Sequence, residues 1–478
     1  MKKGSNHFDI IVIGAGSGGL NIAGFMNRIG LRVLLIDKNE KSIGGDCLNT
    51  GCIPSKALIH IAREVYAGKK AEKFGFTVHG AVDIKKVIVY VKEKQDIIRV
   101  HENSEHFRNI GMTVLLGTAT FNGPRSVMVN GAEYHGKKII IATGSRPRKL
   151  ELEGLELIKT YTNETVFDME TLPSRFVFIG GGPISLELGQ AFAMLGSTVT
   201  IIHGGEHILE KEDPAVSAFM EKELAQMGIE LILNAKPLKV KRGPGGEEVV
   251  VTTPTGEQRI QADALFVGIG RVLNIENLEL AKADIQLTAD ARNIVVDEYL
   301  RTTNSHVYTA GDVAGGIMFT HAAELHASTI ISNFFKPFKK KLNIDSFGWV
   351  TYTSPEIATF GLSAKDLKNR QIQYEEVSSS LQEDDRAIVD ESRGFLKLFV
   401  GPKGTLLGGT LVAPQAGEII GELLLAKNNG LTMEDLFNRV APYPTASRII
   451  RKTAGLYQSK KLTTKVKKLL RLIWLVKY

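Results

Sequence analysis

Short apolar runs and glycine-rich turns recur in a fixed order along this chain. Phe8-Asp9-Ile10-Ile11-Val12-Ile13 is too continuously apolar for a half-exposed strand, which predicts a parallel strand buried on both faces. Gly14-Ala15-Gly16-Ser17-Gly18-Gly19-Leu20 follows, and a second run, Arg32-Val33-Leu34-Leu35-Ile36, ends on Asp37. The order returns at Arg175-Phe176-Val177-Phe178-Ile179, then Gly180-Gly181-Gly182-Pro183-Ile184-Ser185, then Thr198-Val199-Thr200-Ile201-Ile202. Strand, turn, helix and strand, met twice, predict an α/β fold with two Rossmann-like dinucleotide-binding domains.

The turn residues give each domain a chemistry. Gly14 permits a tight turn, Gly16 lets the backbone approach a pyrophosphate, and Gly19 lets the helix lie close to the strand. The helix N-terminus then faces phosphate with unpaired N–H groups. Asp37, 23 positions after Gly14, stands where a ribose-binding carboxylate belongs. In the second domain Gly180, Gly182 and Ser185 take the three places. No acid ends the next strand; His203-Gly204-Gly205 follows it, and Glu206 comes late. The carboxylate usual for NAD is missing, as is the arginine usual for NADP. His203, His207 and Lys211 tilt the reading toward NADPH and leave NADH open.

The rest of the pattern is peripheral. Gly75–Gly80 and the charged helical stretch Lys85–Asn109 fit an insertion. Lys241–Thr255, with Gly243, Pro244, Gly245 and Gly246, reads as a surface hairpin. At the end, Val466, Leu469, Leu470, Ile473 and Val476 recur at helical spacing among basic residues, with Trp474 and Tyr478 nearby. Such a helix can lie on an anionic membrane surface, or pack on the dimer with its basic face solvated.

Composition narrows the setting. A length of 478 residues suggests two to four domains, and 43% hydrophobic with 23% charged residues is ordinary for a globular protein. The polar start, Met1–His7, is unlike a signal peptide, and no segment reaches the roughly 20 apolar residues of a membrane span. Lys460, Lys461, Lys465, Lys467, Lys468, Arg471 and Lys477, with no acid among residues 460–478, equal the whole net charge of +7. The excess therefore describes a tail and not a nucleic-acid-binding body.

The two cysteines change the picture most. Both lie in Gly44-Gly45-Asp46-Cys47-Leu48-Asn49-Thr50-Gly51-Cys52-Ile53-Pro54-Ser55-Lys56. Two cysteines give no disulfide framework, so a cytoplasmic, reducing compartment is expected. On a regular helix residues five apart point about 140° from each other, so a bridge needs a distorted turn, for which Gly51 supplies freedom. Closing so small a loop adds little stability. The pair reads as one that opens and closes; two buried free cysteines are the alternative. Two dinucleotide folds and a redox pair suggest a relay in which nicotinamide brings hydride and a flavin passes electrons to the disulfide.

These motifs resemble those of the flavoprotein disulfide reductases, the group with glutathione reductase, dihydrolipoamide dehydrogenase and mercuric reductase. The resemblance runs from about Asp9 to Tyr457 and includes Ile141-Ala142-Thr143-Gly144-Ser145-Arg146-Pro147, Gly268-Ile269-Gly270-Arg271-Val272-Leu273-Asn274, Val307-Tyr308-Thr309-Ala310-Gly311-Asp312-Val313, Phe319-Thr320-His321-Ala322-Ala323 and Trp349–Ala358. It implies FAD held by Gly14, Gly16, Gly19, Asp37, Thr143, Gly144, Asp312 and Ala322. It further implies NADPH or NADH at Gly180, Gly182, Ser185 and His203, with Gly270 and Arg271 on the return between the domains. An α+β C-terminal dimerisation domain follows, and a homodimer would complete each active site from the partner subunit. The implied division is 1–150 and 273–345 for FAD, 151–272 for NAD(P), 346–457 for dimerisation and 458–478 for the tail. Cys52 would be the thiolate beside the flavin and Cys47 the interchange thiol. Lys56 would sit near the flavin and pair with Glu187. Without the resemblance Lys56 reads as a solvated helix residue and Glu187 as a first-turn acid favoured by the helix dipole.

Departures bear on the acceptor. Disulfide-reducing members carry His-Pro-Thr followed by Glu, the acid/base pair of the dimer. This chain has Tyr443-Pro444-Thr445 and Arg448. A tyrosine with pKa near ~10 is a poor base at neutral pH. Mercuric reductases suit a tyrosine there but deliver metal through C-terminal cysteines, and none follows Cys52. Asp46 stands where many relatives have Thr, and Pro183 where some place a gating Tyr. The expected activity is an NAD(P)H oxidoreductase acting on a disulfide-type small-molecule acceptor, with metal ion or quinone as alternatives. A redox-sensing FAD-binding protein without turnover is the reading from another class.

Overall fold

The computed structural model describes residues 6–478, so most of the polar start, residues 1–5, lies outside the described residues. The chain divides into two compact units, 1–204 with 234–342, and 205–233 with 343–478.

In the first unit, the strand His7–Ile13 lies in parallel between Val33–Asp37 and Ala132–Ile141, with Ile13 opposite Ile36 and Ile141. Ile10, Ile11, Val12 and Ile13 are all buried, which is why the run lacks polar alternation. Full burial of one such side chain stabilises by roughly 1.5–3 kcal/mol. Some 165 residues later the chain returns: Val307–Thr309 pairs in parallel with Ile139–Ile141 of the same sheet. The intervening sequence builds a second parallel sheet. There Arg175–Ile179 lies between Thr198–Ile202 and Ala264–Val267, and the latter also pairs with Lys159–Tyr161. The expected hairpin is larger than the sequence suggested, a three-stranded meander of Lys236–Gly243, Gly246–Thr253 and Gly256–Gln261. Arg271–Leu273 pairs antiparallel with Ser145–Pro147 where the chain re-enters the first sheet's region.

The second unit holds an antiparallel sheet in the order Gly348–Thr351, Glu356–Gly361, Leu406–Ala413, Phe395–Val400, Glu375–Ser380. Helices Ala416–Asn428 and Arg448–Lys460 contribute Ile420, Leu423, Ile449 and Ile450 to its core. A final helix, Thr464–Lys477, buries none of its residues.

Candidate functional site

The first glycine turn is shaped by close approach. Gly14 has φ +107°, and a Cβ there would lie 2.3 Å from the Ala142 carbonyl oxygen; a Cβ on Gly19 would lie 2.0 Å from that of Gly14. Helix Ser17–Arg28 starts at Gly16 without a capping side chain and without an acid in its first turn, leaving its N–H groups for an anion. Asp37 accepts hydrogen bonds from the N–H groups of Ala15 at 2.6 Å and Lys38 at 2.7 Å, and from the Ser42 hydroxyl. The second turn repeats the design. Gly180 has φ +110°, with a Cβ 2.4 Å from the Gly268 oxygen, and helix Pro183–Leu195 starts uncapped at Gly182. These cradles fit the pyrophosphates of two dinucleotides. His203 sits on the second turn, its Nδ1 accepting the Gly181 N–H at 3.1 Å. His207 lies 3.2 Å from Glu221, so that cation candidate already has an acidic partner.

The cysteine turn is two helices with a break. Cys47 lies in Gly45–Asn49 and Cys52 is the first residue of Cys52–Lys70. The break is what lets residues five apart meet. Gly51 has φ −125°, so it is not needed for a left-handed backbone; instead its Cβ would come within 2.8 Å of the Asp46 oxygen. The left-handed residues are Gly44 and Gly45, and a Cβ on Gly45 would lie 2.7 Å from the Gly16 Cα. The cysteines are thereby seated directly on the first glycine turn.

Both cysteines are free thiols and half-buried. Cys52 is pulled down to about 6, first by the hydrogen bond with Cys47, then by Thr320 and Lys56, against the opposing effect of burial. The same hydrogen bond and burial push Cys47 up. Thr320 Oγ1 is 3.1 Å from Cys52 Sγ. Lys56 Nζ is 2.8 Å from Glu187 Oε2. Glu187 is buried on the second turn of its helix, and the first turn has no acid, which removes the first-turn dipole reading.

On the return between the domains, Thr143 and Asn274 exchange two hydrogen bonds, 2.7 and 2.9 Å. Gly144 and Gly270 both take positive φ. Arg271 Nε donates to Ser145 Oγ at 2.6 Å, and Ser145 donates to Asp312 at 2.5 Å. Burial pushes the Asp312 carboxyl up, against Ser145 and Arg271. Ala322 is buried in helix Thr320–Phe335. From that helix His326 Nδ1 accepts the Gly311 N–H at 3.3 Å.

In the second unit Tyr443 is 65% exposed. Its hydroxyl donates to Asp385 at 3.1 Å, and Arg448 lies over its ring at 5.0 Å. The Asp385 carboxylate pushes the phenol further up.

Sequence reasoning missed three supports. Thr320 was read only as part of a motif. Ser145 likewise gave no sign of linking Arg271 to Asp312. The stretch read as an insertion is a buttress: from helix Ile84–Arg99, Gln95 donates to the Leu48 and Asn49 carbonyls at 2.7 and 2.8 Å. The signal was a polar residue in line with the buried Ile84, Val87 and Val91.

Residues 8–327 match the family described as pyridine nucleotide-disulphide oxidoreductase, and residues 348–454 match its dimerisation domain. A dihydrolipoyl dehydrogenase of Mycoplasma genitalium is 33% identical over 459 residues, covering 93% of this chain and 97% of that protein. A mercuric reductase of Lysinibacillus sphaericus is 32% identical over 444 residues, covering 92% and 81%. Among solved structures, the HOCl-induced flavoprotein disulfide reductase RclA of Escherichia coli superposes with a TM-score of 0.82 at 25% identity, covering 94% of this chain and 100% of that one. The chain belongs to the pyridine nucleotide-disulphide oxidoreductase family, an oxidoreductase family that uses FAD and NAD(P)H, and its dimerisation domain supports a homodimer.

Proposed function

We propose that this oxidoreductase passes electrons from NAD(P)H by way of FAD to Cys47 and Cys52, and on to a disulfide-type acceptor of the dihydrolipoamide kind. The observation that carries the reading is the environment of Cys52: one thiol donor, one hydroxyl and one ammonium group favour its thiolate. When bound, FAD accepts hydride from nicotinamide and yields two electrons to a disulfide. Two electrons and one proton open the Cys47–Cys52 bond into a Cys52 thiolate and a Cys47 thiol, matching the direction of both shifts. Lys56, held by its ion pair with Glu187, keeps its ammonium group beside the pair and favours the Cys52 thiolate. In this reading residues 1–150 and 273–345 hold FAD, residues 151–272 hold NAD(P), Cys52 is the thiolate beside the flavin and Cys47 the interchange thiol.

The acceptor is where Tyr443 and Arg448 matter. A phenol whose proton is held by Asp385 and whose pKa is pushed up is a poorer acid than an unperturbed one, so the leaving thiol lacks an efficient proton donor from this place. Turnover should be measured with lipoamide, glutathione disulfide, Hg²⁺ and quinones under NADH and NADPH. Lipoamide is expected to be reduced, and Tyr443→His with Arg448→Glu to raise that rate at least about tenfold, general acid–base catalysis contributing 10²–10⁴-fold. A quinone or Hg²⁺ rate far above lipoamide, unchanged in that variant, would replace the disulfide acceptor. We also propose that residues 460–478 contact an anionic membrane surface, a reading supported by the helix's exposed apolar and basic residues.

A further inference from the structure

Asp46, the departure that the relay leaves without a role, sits at the centre of a polar knot. Its Oδ1 accepts from Thr50 Oγ1 at 2.5 Å and from Asn163 Nδ2 at 3.2 Å. Its Oδ2 pairs with Arg271 at 3.3 Å. Arg271 is little exposed, and donates through Nε to Ser145 Oγ at 2.6 Å and through Nη2 to the Ser145 carbonyl at 3.0 Å. It also lies 3.7 Å from Asp312. One carboxylate thus ties the residue before Cys47 to the strand pair Arg271–Leu273 and Ser145–Pro147, and ties the turn between the cysteines to Asn163. Gln95 holds the other end of the five-residue cysteine helix.

We infer that the Asp46–Arg271 pair is a positioning clamp that keeps Cys47 within bonding reach of Cys52 and so favours closure of the disulfide. This rests on reading the two cysteines as a pair that opens and closes. A helix of five residues has little rigidity of its own, so its fixed points set how often the two sulfurs meet. A threonine at position 46 could bond to Thr50 or Asn163 but could not form the ion pair, whose single Nη2–Oδ2 contact of 3.3 Å rests on a guanidinium itself fixed by two hydrogen bonds to Ser145. The negative charge of Asp46 by itself opposes the Cys52 thiolate. Losing that charge alone would therefore also favour the dithiol, whereas losing the Arg271 cation alone would favour the disulfide, so Arg271→Met separates a clamp from a mere nearby charge.

The test equilibrates full-length, FAD-loaded protein anaerobically in dithiothreitol buffers of graded oxidised-to-reduced ratio, and counts trapped thiols by mass. Closing oxidises two thiols to one disulfide while oxidised dithiothreitol takes up the two electrons and two protons. Asp46→Ala and Asp46→Thr are each expected to lower the disulfide-to-dithiol ratio about tenfold, which is about 30 mV for a two-electron couple. Arg271→Met should act alike, and Asp46→Ala with Arg271→Met should be no worse than either alone. Unchanged ratios in Asp46→Thr, a raised ratio in Arg271→Met, or effects that add in the double variant, would overturn the clamp. Failure of the unsubstituted pair to close in any buffer would overturn both the pair and the clamp. Asp46→Thr, small and polar, keeps the test readable should the alanine variant not fold.

Discussion

Cys52 gains its acidity from donors on three different segments: Cys47, Thr320 and Lys56. Iodoacetamide modification of Cys52 should therefore rise through a midpoint near pH 6, because the thiolate is the reactive form. Cys47→Ser keeps a hydroxyl donor and should shift the midpoint modestly; Cys47→Ala should move it up by at least a unit. A midpoint near ~8.5 in the unsubstituted protein, as for a free thiol, would refute the environment described. The cysteines and the Lys56–Glu187 pair were legible from motif residues, since their spacing and types match a known pattern. Thr320 was not: it lies 268 positions from Cys52, and no local pattern brings such residues together.

Among elements, helix Thr320–Phe335 does more than carry Thr320. Its His326 accepts the Gly311 N–H, next to Asp312, and burial pulls the imidazole down to about 4. A protonated Nδ1 could no longer accept that bond. The folded-state value lies below the ordinary 6.5, so the neutral ring contributes stability present above pH 6.5 and lost as pH falls through about 4. The span corresponds to about 3 kcal/mol. Urea unfolding between pH 7 and pH 4 should show this loss, and His326→Gln, which retains an acceptor, should flatten it; equal slopes in both proteins would contradict the role. The strands Phe8–Ile13 and Arg175–Ile179 were readable because full burial removes polar alternation. The supporting role of helix Ile84–Arg99, within the stretch read as an insertion, was overlooked because only Gln95 marked it and its bonds run to main-chain carbonyls of a distant segment.

At the scale of the molecule, the sheet that holds the first glycine turn is completed by Val307–Thr309. The second parallel sheet is thus built from sequence lying between two strands of the first, an order strand pairing establishes. The meander's third strand was hidden because Gly256–Gln261 is mostly exposed and polar. Among the described residues no helix is long and apolar enough to cross a membrane. Helix Thr464–Lys477 nonetheless exposes Leu469 by 59%, Trp474 by 63% and Val476 by 83%, beyond the last residue matched to the dimerisation domain. With basic residues interspersed, that exposure suits the interfacial region of an anionic bilayer. Full-length protein should float with phosphatidylglycerol vesicles, lose flotation in 0.5 M salt (a Debye length of roughly 4 Å), and lose it on removal of residues 459–478 with lipoamide turnover kept. Equal flotation of both forms would end the membrane reading.

The relay itself is tested most directly by counting thiols. Aerobically isolated, FAD-loaded protein should be alkylated before and after anaerobic addition of NADH or NADPH, and the labelled peptides weighed. Two new thiols per chain, at Cys47 and Cys52, are predicted after nicotinamide addition, with none gained in a FAD-free control. Flavin bleaching with no thiol gained would contradict passage of electrons through the cysteine pair.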